Sequence, residues 1–187
     1  ASCPTCRVPI TEKRRIFRIG IDQVAGRIPV ICQTSAITTV DAIENSRAAV
    51  DQGASAVMVL PPYFEGPFER GVMYHYEKLA RALDVPIVLY NIPVNSGFDI
   101  HPDLYRQLMA MENIDYIKDS TGDLIRLQQL IGIGGNVLSG ADPLAQPRVF
   151  WTDINFAQFK CDDGKTRCHC VADPPSPPEA PPPPGAP

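Results

Sequence analysis

Pro86-Ile87-Val88-Leu89-Tyr90-Asn91-Ile92-Pro93 is an apolar run that ends abruptly in a tyrosine and an asparagine, with Pro93 as its stop. Its apolar residues do not alternate with polar ones, as expected of a parallel strand buried on both faces. Four similar runs surround it: Ile28–Cys32 and Ala56–Leu60 before, Ile114–Lys118 and Asn136–Ser139 after. Helical patterns fill the gaps. Thr38-Thr39-Val40-Asp41 reads as the cap of a helix running to Gly53. Val72, Tyr76, Leu79 and Leu83 follow helical spacing after Gly71. Pro102 suits a first turn, with Leu104, Leu108 and Met111 as the stripe behind it, and Leu124, Leu127 and Ile131 form another stripe before Gly132-Ile133-Gly134-Gly135. Ahead of the first strand, Thr11–Val24 reads as a helix with Ile16, Ile19 and Val24 inward.

Helix, then five strands separated by helices, is the signature of an α/β parallel sheet, either doubly wound or closed as a barrel. A doubly wound nucleotide binder carries a glycine-rich turn after its first strand. Here that place holds Gln33-Thr34-Ser35-Ala36, and Gly132-x-Gly134-Gly135 follows a helix instead. The barrel is the expected form. Its active rim lies at the C-terminal strand ends, where Pro61-Pro62-Tyr63-Phe64, Tyr90-Asn91-Ile92-Pro93, Lys118-Asp119-Ser120-Thr121-Gly122-Asp123 and Ser139-Gly140-Ala141-Asp142 fall.

Lys118 ends an otherwise apolar strand, and strand alternation aims it away from the helices that Ile117 should face. Burying an ammonium favours the neutral amine, which attacks a carbonyl carbon to give a Schiff base. Such chemistry needs a proton relay, and Tyr90, one strand away, has a suitable phenol. The alternative for Lys118 is a structural ion pair with Asp119 or Asp123.

Composition excludes other classes. The chain has 187 residues, with 17 Lys+Arg against 21 Asp+Glu and a formal charge of -4. No basic excess draws it to nucleic acid or an anionic membrane, and no apolar run reaches the ~18 residues that span a bilayer. Ala1-Ser2-Cys3-Pro4 lacks the charged-then-apolar pattern of a secretory signal, so a cytoplasmic location is expected.

Gly26-Arg27-Ile28-Pro29-Val30-Ile31, Pro61-Pro62-Tyr63, Leu89-Tyr90-Asn91-Ile92-Pro93, Ser96-Gly97, Ile117-Lys118-Asp119-Ser120-Thr121-Gly122-Asp123 and Leu138-Ser139-Gly140-Ala141-Asp142 resemble the dihydrodipicolinate synthase/N-acetylneuraminate lyase family over about residues 9–145. The resemblance implies a (β/α)₈ TIM barrel, here represented by family strands three to seven. It also implies a homo-oligomer that processes pyruvate or a related 2-oxo acid without metal or organic cofactor. Lys118 matches the Schiff-base lysine and Tyr90 the proton-relaying tyrosine. Ser120 and Asp142 match places where some members contact the distal part of the substrate. Asn95 stands where the synthases use an arginine for the second substrate's carboxylate, and Phe64 where they carry a second tyrosine, which points toward another family aldolase, lyase or dehydratase. Tyr116 stands where the family has a small residue and should face the barrel interior.

The ends differ from this pattern. The family's Gly-Thr-Thr-Gly-Glu motif should precede Pro9, where the chain reads Cys3-Pro4-Thr5-Cys6-Arg7-Val8, and after Ala145 the match stops. Four segments are therefore expected: a Cys-containing start over residues 1–8, the partial barrel over 9–145, a Cys and aromatic segment over 146–173, and a tail over 174–187 that holds nine of the 20 prolines and favours extended, disordered chain. The abrupt edges suggest truncation or fusion. Cys3, Cys6, Cys161, Cys168, His169 and Cys170 could form a zinc site, although independent reduced thiols are the simpler expectation. Cys32 reads as a small buried hydrophobe, and His75 and His101 as surface histidines. The first function expected is a Schiff-base aldolase or lyase impaired by its missing parts. The second is an inactive barrel fragment that associates through open strand edges.

Overall fold

The computed structural model describes residues 9–63, 66–140, 159–160 and 167–168. The chain divides into two compact units, Ala1–Thr152 and Asp153–Pro187. In the second, strands Phe159–Lys160 and Arg167–Cys168 pair antiparallel. The proposed zinc ligands, Phe64, Asp142 and the proline-rich tail lie outside the residues whose side chains are described.

The first unit alternates as the sequence suggests. Helix α1 (Ile10–Val24) is followed by β1 (Ile31–Gln33), α2 (Thr39–Val50), β2 (Ala56–Val59), α3 (Glu69–Ala82), β3 (Ile87–Asn91), α4 (Pro93–Ser96), α5 (Pro102–Leu108), β4 (Tyr116–Asp119), α6 (Leu124–Gly132) and β5 (Asn136–Ser139). The five strands form one parallel sheet in the order β1-β2-β3-β4-β5. Sequential order with at least one helix between every pair of neighbours is the arrangement of a barrel wall rather than a doubly wound sheet, which reverses its strand order.

Strand pleat sorts the side chains. Cys32, Val57, Val59, Ile87, Leu89, Ile117 and Val137 join one apolar core with Ala42, Ala49, Val72, Tyr76, Leu79, Leu104, Leu108, Leu127 and Leu130 from the helices. The alternate residues, including Met58, Val88, Tyr90, Tyr116 and Lys118, occupy the opposite face. Cys32 is buried in that core as expected. Tyr76 spans from α3 to β2, where its hydroxyl donates to the Val59 carbonyl at 2.9 Å, and burial pushes its pKa up.

Several local readings need correction. Strand β1 begins at Ile31 rather than Ile28. Pro29 has no N–H for a ladder, and the Val30 N–H goes to the Ser55 hydroxyl. In α1 the buried residues are Lys13, Phe17 and Val24, with Ile21 packed alongside, while Ile16 and Ile19 are exposed. Steps of four, four and three along 13, 17, 21 and 24 hold one helical face, which the spacing of 16, 19 and 24 does not. Helix α6 similarly buries Leu127 and Leu130 and exposes Leu124 and Ile131. The α2 cap forms as expected, with the Asp41 N–H donating to Thr38 Oγ1.

His75 is not a surface residue: it is fully buried, and its Nδ1 lies 2.9 Å from Thr39 Oγ1. Burial pulls its pKa from 6.5 to about 4, partly offset by the Leu60 backbone. Between these values the unfolded chain binds a proton that the folded chain does not, so the fold loses stability as pH falls from 6.5 toward 4. The loss attributable to this group is about 3 kcal/mol. His75→Gln, which keeps a hydrogen-bonding group without this titration, should flatten the pH dependence of the urea midpoint across that window.

Candidate active site

Parallel pairing aligns Tyr90 with Lys118 and Asn91 with Asp119 across β3 and β4. Register partners project to the same side of a sheet, so Tyr90 and Lys118 meet on the face opposite the helices. There Lys118 Nζ sits 4.4 Å from the centre of the Tyr90 ring. An ammonium over a tyrosine face is attracted by the ring's quadrupole. Both side chains are only partly buried, so the pair can be reached by a small molecule.

The carboxylates that offered Lys118 a structural alternative have other duties. Asp123 caps α6, accepting from the Ile125 and Arg126 N–H groups at 2.8 and 3.2 Å. Asp119 is buried on the helix side of β4, where it accepts from Asn91 Nδ2 at 2.8 Å and from the Thr121 hydroxyl.

Behind the pair lies a polar network that the sequence reading missed. Asn91 is fully buried; Nδ2 donates to Asp99 Oδ1 at 3.0 Å as well as to Asp119, and Oδ1 accepts from the Ile100 N–H at 2.9 Å. Arg126 closes the network with two 2.8 Å hydrogen bonds to the two oxygens of Asp99. Burial pushes the Asp99 pKa up, but hydrogen bonds from Arg126 and Asn91, and the Arg126 charge, hold it below its usual value. The same hydrogen bonding from Asp99 raises Arg126. A signal was present: Asn91 interrupts an apolar strand, and a polar side chain on a buried face needs partners. Asp99 and Arg126, on a loop and a helix, offered no comparable signal.

Ser120 follows at the end of β4, and its N–H donates to the Asn91 carbonyl at 2.8 Å. Its side chain lies so close to Gly140 that a Cβ there would overlap Ser120 Oγ. Glycine at 140 therefore leaves room for the Ser120 hydroxyl at the β4–β5 rim. Asn95 is exposed on α4, the short helix after β3, which had not been anticipated. Tyr116 lies two residues before Lys118, on the same face. The structure thus brings Lys118 and Tyr90 together, and it places Ser120 at the same rim.

The sequence pattern of the dihydrodipicolinate synthetase family matches residues 7–150. The chain is 36% identical over 140 residues to the 4-hydroxy-tetrahydrodipicolinate synthase of Methanothrix thermoacetophila, covering 73% of this chain and 47% of that one. It is 39% identical over 137 residues to the same-named enzyme of Thioalkalivibrio sulfidiphilus, with 72% and 47% covered. Among solved structures, dihydrodipicolinate synthase of Acinetobacter baumannii complexed with pyruvate superposes with a TM-score of 0.69 at 35% identity, over 73% of this chain and 48% of that one. YagE of Escherichia coli K12, of the dihydrodipicolinic acid synthase family and also in complex with pyruvate, gives 0.70 at 31% identity, over 72% and 48%. The chain spans a little under half the length of these relatives.

The Asp99–Arg126 pair is partly exposed, with side-chain exposures of 39% and 18%, so its worth is reduced by solvent. Arg126→Gln should lower the unfolding free energy by about 1–2 kcal/mol in urea titrations at neutral pH. It should also shrink the part of the stability that is present above about pH 4 and lost below it, because Asp99 would titrate nearer its ordinary value.

Proposed function

We propose that this chain, which belongs to the dihydrodipicolinate synthetase family, carries a Schiff-base site for pyruvate or a related 2-oxo acid, with Lys118 as nucleophile and Tyr90 as proton relay. The observation that carries the reading is the 4.4 Å approach of Lys118 Nζ to the Tyr90 ring at the ends of adjacent strands. The pyruvate named with two structural neighbours supports the substrate class.

In this reading the neutral Lys118 amine adds to the C2 carbonyl carbon of the 2-oxo acid. The carbonyl oxygen takes up a proton, and the nitrogen loses one as the carbinolamine forms. Protonation of the new hydroxyl releases it as water and leaves the protonated imine. Tyr90, beside the nitrogen, gives the first proton and takes back the one the nitrogen loses, then gives the proton that releases water; the phenolate left by that step is restored when it takes the C3 proton. The imine then acts as an electron sink: loss of a proton from C3 gives an enamine, which attacks an aldehyde carbon in the aldol direction, and the reverse sequence cleaves that bond. Ser120 is positioned at the rim to meet the distal part of a substrate, and Asn95 and Asp142 are assigned the same general role from the family resemblance. Asn95 and Phe64, in place of the synthases' arginine and tyrosine, favour an aldolase, lyase or dehydratase reaction other than dihydrodipicolinate synthesis. No metal or organic cofactor enters these steps. The lysine's chemistry would operate inside a barrel domain over residues 9–145 in the cytoplasm.

A second reading rests on the sheet itself. Among the described residues β1 and β5 each pair on one side only, and such edges offer backbone groups to another chain. Association through them, into a homo-oligomer or with a complementary barrel segment, would be the chain's role if the lysine does no chemistry.

Incubation with pyruvate and borohydride, followed by mass spectrometry of the peptides, decides between them. The proposal expects a stable adduct on Lys118 that is lost in Lys118→Ala and forms about a hundred-fold more slowly in Tyr90→Phe. A folded sample that forms no adduct overturns it, and light scattering then tests whether the chain self-associates.

A further inference from the structure

We propose that Asn91 is a positioning residue: by gripping Asp119 on the helix side of the sheet, it fixes where Lys118 and Tyr90 meet on the other side. This rests on the Schiff-base reading of Lys118.

The connectivity is direct. Asn91 follows Tyr90 and Asp119 follows Lys118, and the two are register partners. The strand ends are therefore tied twice, by the main-chain bond from Ser120 N–H to the Asn91 carbonyl at 2.8 Å and by the side-chain bond from Asn91 Nδ2 to Asp119 Oδ1 at 2.8 Å. Pleating places this tie behind the sheet while the reacting pair lies in front, so Asn91 need not touch a substrate.

The amide is suited to the place. Its two N–H groups are divided between carboxylates, Asp99 at 3.0 Å and Asp119 at 2.8 Å, and its oxygen takes the Ile100 N–H at 2.9 Å. It links two acidic groups, the buried Asp119 and the partly exposed Asp99, through one amide. The far side is anchored too, since Asp99 is held by two bonds from Arg126, and Asp119 by the Thr121 hydroxyl. A serine at 91 cannot span both carboxylates. Asp119 then loses the Asn91 donor, and the simplest relaxation moves the end of β4 away from β3. A displacement near 1 Å at a reacting group is enough to slow a reaction substantially without removing any reacting atom.

The test measures the rate of Lys118 adduct formation across pyruvate concentrations, under enough cyanoborohydride that imine formation limits. Asn91→Ser should lower the maximal rate per folded molecule about ten-fold and leave the half-saturating pyruvate concentration within about two-fold. Leu79→Ala, a cavity in the core under α3, should lower the melting temperature without changing that rate. If Asn91→Ser does not fold, Asp119→Ser replaces it, with an expected drop of about ten-fold because the shorter side chain no longer reaches the Asn91 amide. A maximal rate equal to that of Leu79→Ala in the variant that folds overturns the positioning role. Absence of an adduct in the unmodified chain overturns the Schiff-base reading instead, and the two failures are thereby distinct.

Discussion

The side-chain bond between Asn91 and Asp119 is where the two faces of the sheet meet in one constraint. Strands pleat, so residues next to one another in sequence point to opposite faces. That geometry lets β3 and β4 present Tyr90 and Lys118 on one face while Asn91 and Asp119 join on the other. The polar groups sit beside an apolar core that includes Leu89 and Ile117, where an unpaired amide or carboxylate would be costly. Every side-chain hydrogen-bonding group of Asn91 is engaged, and Arg126 supplies positive charge to the same cluster. The helix face does more than bury carbon: it holds the strand ends in register.

This arrangement clarifies why the rim tolerates so much polarity. Asp119 and Asp123 follow Lys118 within five residues, with Thr121 between them, and read as a string the two carboxylates look like partners for its charge. In three dimensions each has a local task. Asp119 accepts from Asn91 and Thr121, the Thr121 hydroxyl oxygen accepts from the Asp123 N–H, and Asp123 closes the first turn of α6. Capping satisfies donors that the first turn of a helix cannot satisfy internally. Local hydrogen bonding thus engages both carboxylates on the side of the sheet away from the Tyr90 ring and at the start of α6.

Much of the fold was legible in the chain. All five strands of the parallel sheet and five of the six helices follow from apolar runs and their spacing, because parallel strands buried on both faces leave a strong compositional mark. The contact between Lys118 and Tyr90 was legible too: they end neighbouring apolar runs, and parallel register brings such ends together. What failed were choices of helix face. Ile16 and Ile19 are apolar yet exposed, while Lys13 and His75 are polar yet buried, because burial follows the angular position on the helix before it follows residue type. The Asn91–Asp99–Arg126 network was out of reach for another reason. Its members lie on a strand, a loop and a helix, and no periodicity links positions that only tertiary folding brings together.

Two adjacent strands are the smallest unit that holds this lysine and tyrosine in contact, and both strands are central in the sheet, with β2 and β5 as their outer neighbours. Their separation is therefore set inside the described sheet by ladder bonds and by Asn91. Forming an imine needs only that pair and a carbonyl carbon within reach. Orienting the substrate's carboxylate and selecting an acceptor aldehyde are different demands, since they require donors converging from several directions around a barrel rim. The relatives have about twice the length over which to place such donors. Under the Schiff-base proposal, capture of a 2-oxo acid and its complete turnover would consequently be separable: the first would depend on the β3–β4 pair, the second on donors converging around a barrel rim.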